Sequence, residues 1–196
     1  MRRLAAILLG WVVVFAALAH DSYPAKPLRI VVPFAPGGST DIVARLVADR
    51  LAAAVGQAVV VENRAGAAGN IGAEAVAKSV PDGYTLLMAT TGVMAINNAL
   101  YASIGYDAAK DFAPVIFVAS ITNVLAVPPE SPAANVAELV ALAKSQPGML
   151  TFASSGAGSS THLSAELFKS MAGVEVLHVP YKGSGQALVD LMAGRV

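Results

Sequence analysis

Short β-branched runs alternate with amphipathic stretches along the first half of the chain. Leu28–Val32 has the length and composition of a buried strand, and apolar residues at helical spacing follow over residues 42–54. Ser39 and Thr40 are favoured N-cap residues, so a helix is expected to begin there. The alternation continues with strands at residues 58–62 and 84–90 and a short helix at residues 73–79. This order predicts parallel strands with helices on both faces.

The same alternation restarts after Pro129. Asn135 and Glu138 have the spacing of a capping box, which predicts the start of a helix over residues 136–144. Further elements are expected as a strand at 150–153, a helix at 162–172, a strand at 174–179 and a helix at 186–193. We therefore predict two α/β lobes, the first over residues 26–120 and the second over residues 121–196.

Residues 1–19 have the pattern of a secretory signal peptide. Arg2 and Arg3 precede an apolar run from Leu4 to Ala19 that ends in small residues. The run is shorter than the roughly 20 residues that span a bilayer. An uncleaved N-terminal anchor is the alternative interpretation. The pattern predicts a periplasmic protein, exported and cleaved near Ala19.

Composition excludes several classes of protein. Hydrophobic residues make up 56% of the 196 residues, which argues against a disordered chain. The 13 basic and 13 acidic residues balance, so no basic excess favours nucleic acid as a partner. The chain contains no cysteine, which excludes disulfides, cysteine-ligated zinc, iron–sulfur clusters and a thiol nucleophile.

Two loops of small residues are the main candidates for a binding site. Pro36–Asp41 and Ser154–Thr161 each join a predicted strand to a predicted helix, one in each lobe. Glycine lets a ligand approach the backbone, and a helix N-terminus offers unpaired N–H groups and partial positive charge. Such a loop can hold a carboxylate or phosphate without any basic side chain. The alternative is that both are ordinary strand-to-helix turns.

Enzymatic interpretations find less support. The chain has no Gly-x-Ser-x-Gly elbow, no Gly-Lys-Ser/Thr motif and only part of a dinucleotide fingerprint. Its histidines do not share a helical i, i+4 spacing, so neither a metal site nor a cofactor is expected. An exported hydrolase or isomerase that uses His162 and Asp41 remains an alternative. Asp41 could orient a ligand or water, or it could cap the N–H groups of its own loop.

Several motifs resemble one family of solute receptors. They are Pro33–Asp41, Val61–Gly72, Pro81–Leu87, Tyr106–Phe112, Ser155–Ser159 and His178–Gly185. In this order they resemble the substrate-binding proteins of tripartite tricarboxylate transporters, the Bug family. The resemblance implies a two-lobed, type II-like periplasmic binding protein, not an enzyme, with a mostly parallel sheet in each lobe.

The resemblance also implies the ligand and the partners. A small organic carboxylate would be held between the lobes, largely through backbone N–H groups, by a monomeric receptor that serves a permease of one large and one small membrane subunit. A ligand-presenting partner of a sensor kinase is the alternative role. The residues expected to contact the ligand are Phe34, Gly37, Gly38, Ser39, Thr40, Asp41, Thr90, Thr91, Ser154, Ser155, Gly156, Ala157, Gly158, Ser159, His162 and Tyr181.

This chain differs from the family in length. Family members are considerably longer, so we expect the second lobe and the return to the first lobe to be incomplete here. Open sheet edges and exposed apolar faces would follow, and with them lower stability and a tendency to aggregate. A non-functional fragment is therefore also an alternative.

Overall fold

A computed structural model describes residues 23–196. The predicted signal peptide, residues 1–19, lies outside the described residues. Within residues 23–196, every helix is too short or too polar to cross a bilayer.

Three parallel strands form the sheet of the first lobe. They are β1 (Leu28–Val32), β2 (Val59–Asn63) and β3 (Thr85–Leu87), in the spatial order β2-β1-β3. The central strand is the most buried, because its neighbours and the helices cover it on all sides. The third strand is shorter than predicted. Its pairing with β1 ends at Val31, because the next N–H of β1 that would point toward β3 belongs to Pro33, which has none.

Helices cover both faces of this sheet, as predicted. Helix α1 (Ser39–Val55) packs on one face, where Ile30 and Val32 meet Ala44 and Ala48. The opposite face is covered by a 3₁₀ turn, α2, a π-helical turn and α3; these elements span Ala67–Gly69, Asn70–Ala77, Gly92–Ile96 and Asn97–Leu100.

The start of α1 differs from the prediction. Gly38 is the N-cap residue, and no side chain caps the helix, so Ser39 and Thr40 are the first helical residues rather than the cap. The helix ends as expected at Gly56, which adopts a left-handed conformation with φ 68°.

The second lobe contains a two-stranded parallel sheet, β4 (Thr151–Ser154) and β5 (Leu177–Pro180). Its helices are α4 (Val136–Ser145), α5 (Ser160–Ala172) and α6 (Ser184–Met192). The predicted cap of α4 is confirmed, since Asn135 Oδ1 accepts from the Glu138 amide at 3.0 Å.

The segment between the lobes, residues 113–127, has no regular secondary structure and is exposed throughout. Val115, Ile116 and Phe117 are 79%, 79% and 81% exposed. These apolar side chains match the expectation of uncovered apolar surface. The predicted boundary between the lobes, at residues 120 and 121, falls inside this segment.

Candidate functional site

The two lobes meet through the loops that follow their strands. The Ala35 amide donates to the Lys182 carbonyl at 2.8 Å, and the Tyr101 hydroxyl donates to the Ala157 carbonyl at 2.7 Å. A longer bond of 3.4 Å joins the Ser39 amide to Ser184 Oγ. We call this contact, made by these six residues, the seam.

A cavity of about 230 Å³ opens at the seam. Loops from both lobes line it, and among its described lining residues Lys182 alone carries a charge. The lining residues are Phe34, Gly66, Ala67, Ala68, Gly69, Tyr101, Ser155, Gly156, Ala157, Pro180, Tyr181 and Lys182. Its surface is therefore mostly backbone, small side chains and aromatic rings.

One wall of the cavity, Gly66–Gly69, is absent from the predicted site. Ala67 and Ala68 adopt φ values of 46° and 51°, a left-handed conformation that is uncommon for residues with a Cβ. A Cβ added to Gly156 would lie 3.4 Å from Ala68 Cα, so the loops of the two lobes nearly touch. The closely spaced glycines around residue 66 were the available signal for this wall.

The first predicted loop, residues 37–41, contributes Ser39 to the seam but does not line the cavity. Gly37 is exposed, with φ 81°. A Cβ on Gly38 would lie 2.8 Å from Ser184 Oγ, so the second lobe covers this residue. Thr40 is half-buried in the first turn of α1. Phe34, which precedes this loop, does line the cavity.

Asp41 is buried and saturated with hydrogen bonds. Its Oδ2 accepts from the Gly37 amide and from Arg45 Nε, each at 3.0 Å. Its Oδ1 accepts from Asn63 Nδ2 at 2.8 Å and from Arg45 Nη2 at 3.0 Å. Burial raises the pKa of Asp41, but the hydrogen bonds from Arg45, Gly37 and Asn63 outweigh it and hold the pKa at about 2. The carboxylate therefore closes its own loop, and a ligand-orienting role remains a prediction.

The second predicted loop contributes three residues to the cavity, Ser155, Gly156 and Ala157. Ser154, Gly158 and Ser159 are buried behind them. Most amides of this loop already donate within it. The donors are Ser155 to Thr161 Oγ1, Gly156 to Ser154 Oγ, Gly158 to His162 Nδ1, Ser159 to the Gly156 carbonyl and His162 to Ser159 Oγ.

Thr90 and Thr91 follow β3, and the residue after them, Gly92, approaches the second lobe. A Cβ on Gly92 would lie 3.4 Å from the Gly158 carbonyl oxygen. Thr90 is half-buried and Thr91 is exposed. Neither threonine lines the cavity.

Tyr181 and His162 have different surroundings. Tyr181 lines the cavity, and its hydroxyl donates to Asp190 Oδ2 at 2.6 Å. The hydrogen bond to Asp190, together with burial, raises the pKa of Tyr181. His162 lies behind the second loop, where it stacks against His178. Within residues 23–196 no group of three acidic or histidine side chains is placed to hold a metal ion.

Comparison with known proteins places the fold in one family. Residues 43–196 match the family described as "Tripartite tricarboxylate transporter family receptor". The chain belongs to this receptor family. BugT of Bordetella pertussis is 44% identical over 182 residues, which cover 92% of this chain and 56% of BugT.

Solved structures of relatives have the same fold. Rpa4515 of R. palustris, with adipate, is 47% identical with a TM-score of 0.87, over 89% of this chain and 58% of that one. MatC of Rhodopseudomonas palustris, with bound malate, is 34% identical with a TM-score of 0.83, over 89% of this chain and 59% of that one. This receptor-family chain thus spans little more than half the length of these relatives.

The family match confirms the predicted receptor class and the two-lobed α/β fold. The matched family consists of receptors, so the prediction of a non-enzymatic protein holds and the hydrolase or isomerase alternative finds no support. Asp41 and His162, the pair that this alternative requires, each bond within their own lobe.

Proposed function

We propose that this chain is the solute-binding part of a tripartite tricarboxylate-type uptake system and that it holds a small organic carboxylate at the seam. The observation that supports this most is the cavity between the lobes, about 230 Å³ and lined by backbone, small side chains and aromatic rings with one charged residue. Its size suits a small acid, and two relatives were solved with adipate and with malate.

The carboxylate is bound, in this proposal, by peptide groups and hydroxyls, with Lys182 as the one positive side chain. A single dipole contact at an exposed helix end contributes only about 0.3–1 kcal/mol. Micromolar affinity needs about 8 kcal/mol, so several bonds must act together in a space that excludes water. Three loops face the cavity, namely Gly66–Gly69, Ser155–Ala157 and Pro180–Lys182. The bonds to the ligand must come from those amides and hydroxyls of these loops that do not already donate within the protein.

The proposal extends to location and partners. The proposed site of action is the periplasm, reached through cleavage near Ala19, and the proposed partner is a permease of one large and one small membrane subunit. The receptor would act as a monomer and deliver its ligand to that pair. Solved relatives are described as a periplasmic transporter and a periplasmic binding protein, which supports this location.

Calorimetric titration of the full chain with adipate and with malate tests the proposal. We expect saturable binding of at least one of the two, with a raised melting temperature, because a ligand that binds only the folded state stabilises it. Absence of heat and of any thermal shift with a panel of mono- and dicarboxylates would contradict the proposal.

The seam can be tested by a single substitution. Gly38→Val should weaken carboxylate binding, because its Cβ would lie 2.8 Å from Ser184 Oγ and 3.4 Å from the Ser184 amide, and its two methyl groups need further space at the seam. Ala54→Val adds a β-branched side chain on the exposed end of the same helix and serves as the matched control. Equal affinity in both variants would show that the ligand does not bind at the seam.

A further inference from the structure

Three aromatic rings stack directly behind the second loop. His162 and His178 lie 4.1 Å apart between ring centroids, at an interplanar angle of 26°. Phe152 stacks on His178 at 4.8 Å. This stack lies outside the cavity lining, and the proposed binding of a carboxylate makes no use of its chemistry.

Each imidazole of the stack holds one part of the loop. His178 Nε2 shares a hydrogen bond of 2.6 Å with Ser154 Oγ, which also accepts from the Gly156 amide at 3.1 Å. The Gly158 amide donates to His162 Nδ1 at 3.2 Å. An amide N–H can only donate, so His162 Nδ1 must be unprotonated in this arrangement. The loop conformation therefore depends on the protonation state of His162.

The charged groups around the stack are few. Glu166 Oε1 lies 3.8 Å from His162 Nε2, and Lys169 pairs with that carboxylate at 2.8 Å. On the neighbouring helix α6 and just after it, Asp190 and Arg195 pair with each other. Burial lowers the pKa of His178, and the neighbouring His162 lowers it further, so a second positive charge in the stack is disfavoured.

A buried acceptor without a hydrogen bond lies beside Gly158. Among the described residues, Asn97 Oδ1 is buried and accepts no hydrogen bond. It lies 3.1 Å from the position of a Cβ on Gly158. The Asn97 side chain is held by its other atom, Nδ2, which donates to Asn70 Oδ1 at 2.6 Å and to the Ala68 carbonyl at 3.2 Å. This acceptor therefore stands between the two loops that line the cavity.

We propose that His162 and His178 are positioning residues for the carboxylate site, and that uptake of one proton by His162 releases the Gly158 amide toward Asn97 and weakens ligand binding. The weakened affinity rests on the proposed function. The release of the Gly158 amide does not, since it requires no ligand. Gly156 lines the cavity two residues from Gly158, so the released amide alters the cavity wall directly.

The first test needs no carboxylate. The full chain, labelled with ¹⁵N, is titrated from pH 8 to pH 5.5 while the imidazole nitrogens and the Gly158 amide are followed by NMR. We expect His162 to be the tautomer with unprotonated Nδ1 at pH 8, and the Gly158 amide to shift with the same midpoint as His162. A Gly158 amide that does not follow the His162 titration would overturn the proposal, whether or not any carboxylate binds.

The second test measures adipate affinity by calorimetry across the same pH range. If binding requires an unprotonated His162, affinity should fall about tenfold per pH unit below the midpoint of that histidine. His162→Asn places an amide oxygen near the position of Nδ1 and does not titrate, so it should bind nearly as well at pH 8 and lose this dependence. His162→Phe keeps the stack but not the acceptor, so its affinity should be lower at every pH.

His20→Gln is the matched control, since it removes the remaining histidine of the chain. Protonation of adipate itself affects all variants equally and cancels in the comparison. The same pH slope in His162→Asn as in the unaltered chain would overturn the proposal. Failure of adipate and the other carboxylates to bind at pH 8 would instead reject the proposed function and leave the NMR titration to decide the inference.

Discussion

Replacing Asp41 with asparagine should destabilise the first lobe by about 2 kcal/mol at pH 7. The carboxylate accepts four hydrogen bonds, two of them from Arg45 and one each from Gly37 and Asn63. An asparagine side chain has nearly the same shape, but its NH₂ group would face two of these donors, since each carboxylate oxygen accepts from two. The substitution therefore removes charge and acceptors while it adds little change in volume.

The magnitude follows from the pKa of about 2 for Asp41. An unfolded aspartate has a pKa of about 3.9, and two units correspond to about 2.6 kcal/mol. Arg45 is 52% exposed, so solvent screening reduces this figure toward about 2 kcal/mol. Because the folded-state pKa is depressed, the stabilisation is complete above about pH 4 and disappears as the pH falls toward 2. About half of it should be lost by pH 3.

Urea denaturation at pH 7 and pH 3, followed by circular dichroism, measures this difference. Asp49→Asn is the matched control, since Asp49 lies on the same helix, is exposed and takes part in none of the ion pairs of residues 23–196. We expect the gap between the two variants to narrow from about 2 to about 1 kcal/mol between pH 7 and pH 3. A gap that is absent at pH 7, or that does not change with pH, would refute the reasoning.

Three further changes have definite expectations. Gly72→Ala should cost about 1–3 kcal/mol in urea denaturation, because its Cβ would lie 2.8 Å from Pro33 Cα, whereas Gly92→Ala meets nothing closer than 3.4 Å and should be tolerated. Tyr101→Phe removes a hydrogen bond across the seam and should weaken adipate binding about fivefold in calorimetry, since such a bond contributes about 1 kcal/mol. Phe117→Lys changes a side chain that is 81% exposed, so light scattering should show less aggregation with no loss of stability.

Most of the first lobe could be predicted from the sequence, because the residues that determine each strand and helix lie within it or directly beside it. The run Leu28–Val32 is β-branched and ends at a proline, and the structure has a strand with those bounds. The length of β3 could not be predicted in the same way, since it depends on where its partner strand ends. Ser39 and Thr40 illustrate the same limit. Both are good N-cap residues, but the chain direction set by Gly37 and Gly38 places them inside the helix.

Some of the residues that line the cavity could be predicted from the sequence, and others could not. Phe34, Tyr181 and the residues Ser155–Ala157 were predicted as ligand contacts and do line it. Whether they contact a ligand stays a prediction. Gly66–Gly69 belongs to the motif Val61–Gly72 but is absent from the predicted ligand contacts, because its approach to Gly156 is a contact between residues far apart in sequence. Nothing local to either segment indicates that approach.

A site with one positive side chain must rely on the closure of the lobes. Lys182 is exposed, and an ion pair in water contributes at most about 1 kcal/mol, far below the roughly 8 kcal/mol of micromolar binding. The balance must come from peptide groups, which are strong partners only where water is excluded. The bonds of Ala35 and Tyr101 across the seam keep the lobes together, so they contribute to affinity by holding the cavity closed. Selectivity among carboxylates should then depend on how well the acid fills the closed cavity more than on its charge.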